Sequence, residues 1–258
     1  MVDSCIRHKI ARLVHVSSLS VLDHASHDPR SPVTEDSPDE PQAELRGLYT
    51  RSKLESELFV RNAAANLGLR AVIIRPGQIF GAGTERIPPP GVIALGNHWI
   101  VVGDGEQVLP LVYVEDVADA LLRAAESSKV PAIYNIVDPD AITQREYLTA
   151  IRAQLSRDVT VHYCPKLLLL AAGWMCEVGQ ALMKRELPLS RYRVRSIRPL
   201  NPFDLTAATK ELLWQPRIGV RAALSARDAG QQPHFSEVLP SDVMLEQVSA
   251  AQVDTSTK

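Results

Sequence analysis

The stretch GLYTRSKLESE, residues 47–57, decides how the rest of the chain is read. Tyr49 stands four positions before Lys53, with Ser52 between them and Glu55 and Glu57 following. On a helix, residues i and i+4 share a face. The stretch is therefore either a surface helix with ordinary polar residues or a helix that presents a tyrosine–lysine pair for chemistry. The spacing alone recurs in many helices with no such role, so the flanking segments carry the decision.

Upstream, ARLVHVSS (11–18) alternates and is rich in β-formers, which predicts a strand ending in Ser17 and Ser18. Residues 23–47 hold Pro29, Pro32, Pro38 and Pro41 among acidic side chains and read as a polar loop. A long helix is predicted from about Leu45 to Leu67, with Gly68 where a C-terminal glycine belongs. RAVIIRP (70–76) is a continuous apolar strand, as in a parallel sheet covered on both faces. Strand, long helix and strand make a βαβ unit.

Further on, GQIFGAGTERIPPPG (77–91) reads as a loop, and WIVVGDGEQVLPLVYV (99–114) as two short strands around Gly103-Asp104-Gly105. EDVADALLRAAES (115–127) is a helix with Glu115 and Asp116 at its positive end. AIYNIVD (132–138) is another buried strand. TQRE (143–146) has capping-box spacing ahead of YLTAIRAQL. Beyond Asp228 the sequence is polar and aperiodic, which predicts a disordered tail.

Composition narrows the class. The 258 residues are 45% hydrophobic and 22% charged, ordinary for a soluble globular protein. The net charge of −2 gives no bulk attraction to nucleic acid. Cys5, Cys164 and Cys176 lack CxxC spacing and point to a reducing, cytoplasmic setting rather than a disulfide framework. The first residues are too polar for a signal peptide. Residues 164–183 (CPKLLLLAAGWMCEVGQALM) are the most apolar stretch, interrupted by Glu177 and Gln180. They read as a buried or amphipathic helix, with weak membrane contact, and hence membrane association, as the alternative.

A tyrosine hydroxyl ordinarily ionises near pH 10, and a lysine ammonium one turn away favours the phenolate. Such a tyrosine can take a proton from an alcohol or give one to a ketone while a hydride moves. The reaction also needs a hydroxyl to hold the substrate oxygen. In α/β sheets that group belongs at the carboxyl end of a strand, where Ser17 and Ser18 stand.

Taken in order, LVHVSSLSVL, YTRSK, IIRPGQIFG, LVYVEDVADALL, IYNIVD and FDLTAATKELLWQPRIGV resemble the extended short-chain dehydrogenase/reductase family, which includes nucleotide-sugar epimerases, dehydratases and 3β-hydroxysteroid dehydrogenase-like enzymes. The likeness runs from about residue 5 to 226. It departs at Leu213-Trp214-Gln215-Pro216, where the family has a glycine before the tryptophan.

The resemblance implies an α/β fold, a partial Rossmann-like, doubly wound parallel sheet with a smaller C-terminal α/β substrate lobe. Residues 1–80 would be the later part of the cofactor domain. Residues 81–226 would be mainly the substrate lobe, with a strand near 132–137 returning to the sheet, and 227–258 a disordered tail. It implies Tyr49 as general acid/base, Lys53 as its support and ribose ligand, and Ser18 as the group that orients the substrate oxygen. Pro76, Gly77, Gln78 and Ile79 would contact the nicotinamide end of NAD or NADP, the two being undistinguished. Arg75 would be structural, and Asp116 a helix N-terminal residue. Arg86, Arg193, Arg195 and Arg217 are candidates for a substrate diphosphate. The substrate is a small molecule, steroid-like or a nucleotide sugar, with a slight preference for the apolar class.

The family's Gly-x-x-Gly-x-x-Gly turn, which lets pyrophosphate approach a helix N-terminus, does not occur here, and Gly81-Ala82-Gly83 is a poor substitute. The strand at 11–16 is then expected to have an exposed edge that invites aggregation, homodimerisation or pairing with another chain. A start inside what looks like a helix suggests a truncated reading, an alternative start or a split protein. Two functions follow: an NAD(P)-dependent oxidoreductase or epimerase using Ser-Tyr-Lys chemistry, or an inactive fragment that serves as a binding or partner module.

Overall fold

Three parallel strands organise the chain. The computed structural model describes residues 1–81, 91–140, 142–154, 158–183, 191–197 and 200–228. Its elements begin with α1 (Val2–Arg7), β1 (Leu13–Val16), α2 (Ala43–Arg46), α3 (Leu48–Asn66), β2 (Ala71–Pro76) and β3 (Gln78–Phe80). They continue with β4 (Val92–Leu95), β5 (His98–Val102), β6 (Val108–Leu109), β7 (Leu111–Tyr113), α4 (Val114–Glu126) and β8 (Ala132–Ile136). Then come β9 (Ile142–Thr143), α5 (Gln144–Gln154), β10 (Thr160–Cys164), α6 (Lys166–Met183), α7 (Arg191–Ser196), α8 (Thr206–Lys210) and α9 (Val220–Asp228).

The first sheet has the order β1-β2-β8, all parallel. Every residue of β2 is buried, because helices cover both faces. Ala71 and Ile73 pack with Val60 and Ala63 of α3 and Val2 of α1. Val72 and Ile74 point the other way, onto Val117, Ala120 and Ala124 of α4 and onto Ala208 and Trp214. Alternation along the strand thus makes a doubly wound α/β/α layer. Among the described residues no strand pairs with the far edge of β1, where Val16 is 37% exposed.

A second core joins Trp99 and Val101 of β5 to Leu148 and Ile151 of α5 and Ala223 and Leu224 of α9. Beside it lies a sheet of order β10-β5-β4. The capping box forms as its spacing predicts: Thr143 N–H donates to Glu146 at 2.8 Å, and Glu146 N–H donates back to Thr143 Oγ1 at 3.2 Å. The bond from the Thr143 N–H is the main reason the Glu146 carboxyl is held below its usual range. Gly68, at φ 70°, lets Leu69 N–H close back on Ala63 O and ends α3.

The long helix expected from Leu45 is broken. Gly47, at φ 121°, separates α2 from α3. The segment 99–114 also differs from a simple pair of strands. Gly103 and Gly105 turn the chain with positive φ, but β5 pairs with β4 and β10, β6 with β9, and β7 with β3. β4 and β5 form a local hairpin across Gly96-Asn97, but the partners of β6 and β7, and the second partner of β5, lie far off in sequence, so local turn chemistry could not assign them. Leu213 takes φ 53° where the family pattern has glycine, a left-handed backbone that costs a non-glycine residue about 1–2 kcal/mol.

Among the described residues no helix is long and apolar enough to cross a membrane. α6 packs on α7 and turns Leu167, Leu168, Ala171, Trp174, Met175 and Val178 outward, a stripe along one helical face. The three cysteines are free. Helix α9 runs through Asp228, so the first two positions expected in the tail are helical. The loop expected over 77–91 is instead a strand at Gln78–Phe80, held by pairing with β7; its part at 82–90, including Gly83 and Arg86, and the tail from 229 onward lie outside the described residues.

Candidate active site

The carboxyl end of β1 carries Ser17 and Ser18 and is reached from α3 by Lys53. Ser17 N–H bonds Ile74 O at 2.8 Å, so the two serines lie beside Arg75 and Pro76 at the end of β2. Ser17 is buried, and its hydroxyl donates to Glu57 on α3. Ser18 is only half-buried. Its Oγ accepts Ser20 N–H at 3.2 Å, capping the short 3-10 turn Leu19–Val21. An accepting hydroxyl keeps its own proton to donate, which leaves Ser18 the serine suited to hold a substrate oxygen.

Lys53 reaches the same strand end: its Nζ donates to Val16 O at 3.0 Å. Tyr49 sits one turn earlier on α3, 61% exposed. Its ring borders an open depression of about 480 Å³ lined also by Leu48, Arg51, Ser52 and Glu55. Ser18 and Lys53 do not line that depression. His15 lies on β1 beneath Lys53 and Glu57. Burial pushes its imidazole below the usual value; Glu57 opposes this and Lys53 adds to it.

A buried charge network supports this corner. Arg75 is 1% exposed and holds the fully buried Glu57 through its Nε and a 2.6 Å contact from Nη2. It also donates to Glu35 O at 2.9 Å. Arg61 joins Asp39 at 2.8 Å, and the Glu35 carboxylate accepts Asn135 N–H at 2.9 Å. The polar loop is thereby pinned across the ends of β2 and β8. Burial raises the Glu35 carboxyl above its usual range. Sequence reasoning gave Arg75 a structural role but missed Glu57. The available signal was its spacing: Tyr49, Lys53 and Glu57 recur at intervals of four and share one face of α3.

Pro76 to Ile79 leave the first sheet and enter the β3–β7 pairing. Gly77 N–H bonds Ile136 O at 2.9 Å and Gln78 N–H bonds Pro110 O at 2.8 Å. A Cβ at Gly77 would lie 2.2 Å from Pro110 O, so the crossing admits only glycine. Gln78 Oε1 is buried and accepts no hydrogen bond. An orphaned acceptor at this strand end fits the carboxamide of a nicotinamide ring. No described residue fits the pyrophosphate end, because the glycine turn is not in the sequence.

The other candidates scatter. Asp116 is buried, and its carboxylate accepts the N–H groups of Arg217, Ile218 and Gly219 at 2.7–3.1 Å. Its backbone oxygen takes Trp214 Nε1–H at 2.9 Å. It therefore fastens α4 to the loop before α9. Arg217 faces Asp119 at 3.7 Å on that same side of the sheet. Arg193 lies beside Gly47 and donates to Leu45 O at 2.9 Å, next to the start of α3. Arg195 is exposed on α7. The structure does not gather these arginines into one cluster.

The model of the NAD dependent epimerase/dehydratase family matches residues 1–137. Curated relatives include the uncharacterized protein y4nG of Sinorhizobium fredii, 28% identical over 84% of this chain and 52% of its own length. The uncharacterized protein YbjS of Escherichia coli is 27% identical over 72% of this chain and 58% of its own. The 3beta-hydroxysteroid-dehydrogenase/decarboxylase isoform 2 of Arabidopsis thaliana is 25% identical over 87% of this chain and 42% of its own. This chain thus spans about half the length of these relatives. Among solved structures, gox2253 superposes with a TM-score of 0.69 at 19% identity, covering 90% of this chain and 71% of that one. UDP-glucose 4-epimerase from Thermotoga maritima, solved with UDP-glucose, superposes at 0.59 and 19% identity, covering 88% and 65%.

Proposed function

The chain belongs to the NAD dependent epimerase/dehydratase family, and from that premise we propose that it carries the acid–base half of an NAD(P)-dependent oxidoreduction or epimerisation at a secondary alcohol or ketone. The observation that supports this best is the 3.0 Å bond from Lys53 to Val16 O, which locks the first turns of α3 against the strand end that bears Ser18. In this reading Ser18 holds the substrate oxygen, Tyr49 gives or takes its proton, and Lys53 positions the tyrosine and bonds the ribose. A nicotinamide, when bound along Pro76–Ile79, supplies the hydride acceptor or donor. Residues 1–80 belong to the cofactor domain and 81–226 mainly to the substrate lobe, with β8 returning to the sheet.

Lys53→Ala is expected to weaken both cofactor binding and turnover, because one ammonium serves the strand end and the ribose. Calorimetry and steady-state rates on a protein that also has a nucleotide-binding half would test this. A fall in rate with unchanged cofactor affinity would remove the ribose contact from the scheme.

A second reading rests on the open edge of β1: these 258 residues alone are a binding or partner module. Alone, the chain is expected to bind neither NAD nor NADP tightly, since charge-assisted pyrophosphate contacts normally anchor the dinucleotide. It is also expected to self-associate or to need a partner at that edge. Titration with both cofactors, alongside sizing, decides. A soluble monomer with low-micromolar affinity for either would overturn this reading and favour the first for the chain by itself.

The substrate lobe leans toward apolar chemistry. Its exposed α6 stripe carries Trp174, Met175 and two leucines, and α7 beside it carries the exposed Arg195, with Arg191 paired to Glu177 at 2.6 Å and Arg193 donating to Leu45 O. An apolar face with tryptophan and a basic flank suits an anionic lipid surface. Anionic vesicles are expected to float the protein, and Trp174→Glu to reduce flotation severalfold. Equal flotation of the variant would exclude this face, and self-association that Trp174→Glu abolishes would assign it to a second copy rather than to lipid.

A further inference from the structure

Two imidazoles meet on the β10-β5-β4 sheet, in elements that contribute nothing to the Tyr49 region. His98 Nδ1 lies 3.1 Å from His162 Nε2, with ring centroids 5.3 Å apart and planes tilted by 36°. Both side chains are exposed. Their strands are anchored from the opposite face, where Trp99 and Val101 of β5 enter the core and Val161 of β10 packs against it. Strand pairing sets His98 opposite Thr160 and His162 opposite Ile100. The two rings therefore reach toward each other along a diagonal, a pair whose Cα atoms are normally roughly 7–8 Å apart. A rigid sheet brings two imidazole nitrogens together with no loop to order.

We infer that His98 and His162 form a binding site for a borderline divalent cation of the Zn²⁺, Ni²⁺ or Cu²⁺ class. Imidazole nitrogen suits these ions, whereas Mg²⁺ and Ca²⁺ take oxygen. At a Zn–N distance of about 2.0–2.1 Å and a tetrahedral angle, two ligand nitrogens stand roughly 3.3 Å apart. The pair already stands within a few tenths of an ångström of that separation. Without metal, the rings share one proton, one donating and the other accepting. The metal takes the place of that hydrogen bond and binds both lone pairs after a small rotation of exposed side chains. Among the described residues no third His, Cys, Asp or Glu joins the pair. The remaining positions are open to water or to a ligand from outside, as in open rather than structural zinc sites. Around the pair the sheet offers Leu95, Ile100 and Thr160, and Cys164 is the next titratable side chain on the same face of β10, with Tyr163 alternating to the other face.

The test is calorimetric titration of the reduced, full chain with Zn²⁺ alone and with Ni²⁺ alone, compared with His98→Ala and His162→Ala. One equivalent should bind the unaltered chain, and each variant should bind about tenfold or more weakly, since even loss of a ligand's supporting partner costs that much. Affinity should fall in acid, because a protonated imidazole has no lone pair to offer the metal. His162→Gln keeps a polar side chain of similar reach and must show the same loss. Both positions are exposed, so thermal melts of the variants should match the unaltered chain. Absence of binding to the unaltered chain, or affinity retained by the alanine or glutamine variants, would overturn the site.

Discussion

Tyr49→Phe is expected to lower turnover by about 10²–10⁴-fold, the usual worth of positioned acid–base catalysis, and to leave cofactor affinity near its starting value. The variant loses one hydroxyl from a side chain that is 61% exposed, so neither packing nor folding should change. Lys53 keeps its bond to Val16 O, and Ser18 keeps its place at the turn. In the proposed scheme, what disappears is the group that exchanges a proton with the substrate oxygen. The comparison belongs in a protein that joins these residues to a nucleotide-binding half, with turnover and cofactor titration measured on the same preparations. Retention of more than about a tenth of the rate would be far less than an acid–base catalyst is worth and would sink the assignment. A large fall in cofactor affinity would instead give Tyr49 a binding role.

Arg75→Ala destabilises the fold by about 3–5 kcal/mol, the range expected when one partner of a buried ion pair is removed. Glu57 is fully buried, and Arg75, its closest cation at 2.6 Å, is 1% exposed. Alanine would leave that carboxylate with Ser17 and a more distant Arg61 at 3.7 Å. It would also free Glu35 O from its 2.9 Å bond and loosen the loop across β2 and β8. The double variant Arg75→Met, Glu57→Leu should recover at least half of the loss, because no unpaired charge remains in the core. Urea unfolding of the three proteins measures both effects. A cost below about 1 kcal/mol for Arg75→Ala would mean that the pair behaves like a surface ion pair.

These expected results separate catalysis from support along a single helix. Tyr49, Lys53 and Glu57 share one face of α3, yet exposure falls from 61% at Tyr49 to none at Glu57. The exposed end of the stripe serves chemistry in the proposed scheme, and the buried end holds the sheet to the loop. Lys53 lies between, tied to the strand end itself.

What the sequence determined by itself was whatever a few neighbouring residues settle. The continuous apolar run of 70–76 is a strand buried on both faces, the Thr143–Glu146 box caps α5, and Gly68 ends α3 through a left-handed turn. Each follows from spacing within one turn or one strand, where backbone geometry leaves few choices. The ordered motifs around Ser18, Tyr49 and Lys53 likewise identified the family, because their sequence order mirrors the order of elements in the sheet. The tertiary structure alone decided the rest. Nothing within 11–18 distinguishes a serine committed to Glu57 from one free to donate; that depends on a residue forty positions away. Asp116 stands in the first turn of α4 as its place in the sequence implied, but that its carboxylate fastens a loop a hundred positions on was not legible there. Apart from the local hairpin of β4 with β5, the strands of 99–114 found partners at 78–80, 142–143 and 160–164 rather than each other, and one of those pairings set His98 beside His162. Such contacts form when distant segments bury their apolar faces together, and that burial is not directional. Which polar atoms then meet is fixed by packing of the whole chain, not by the residues beside them.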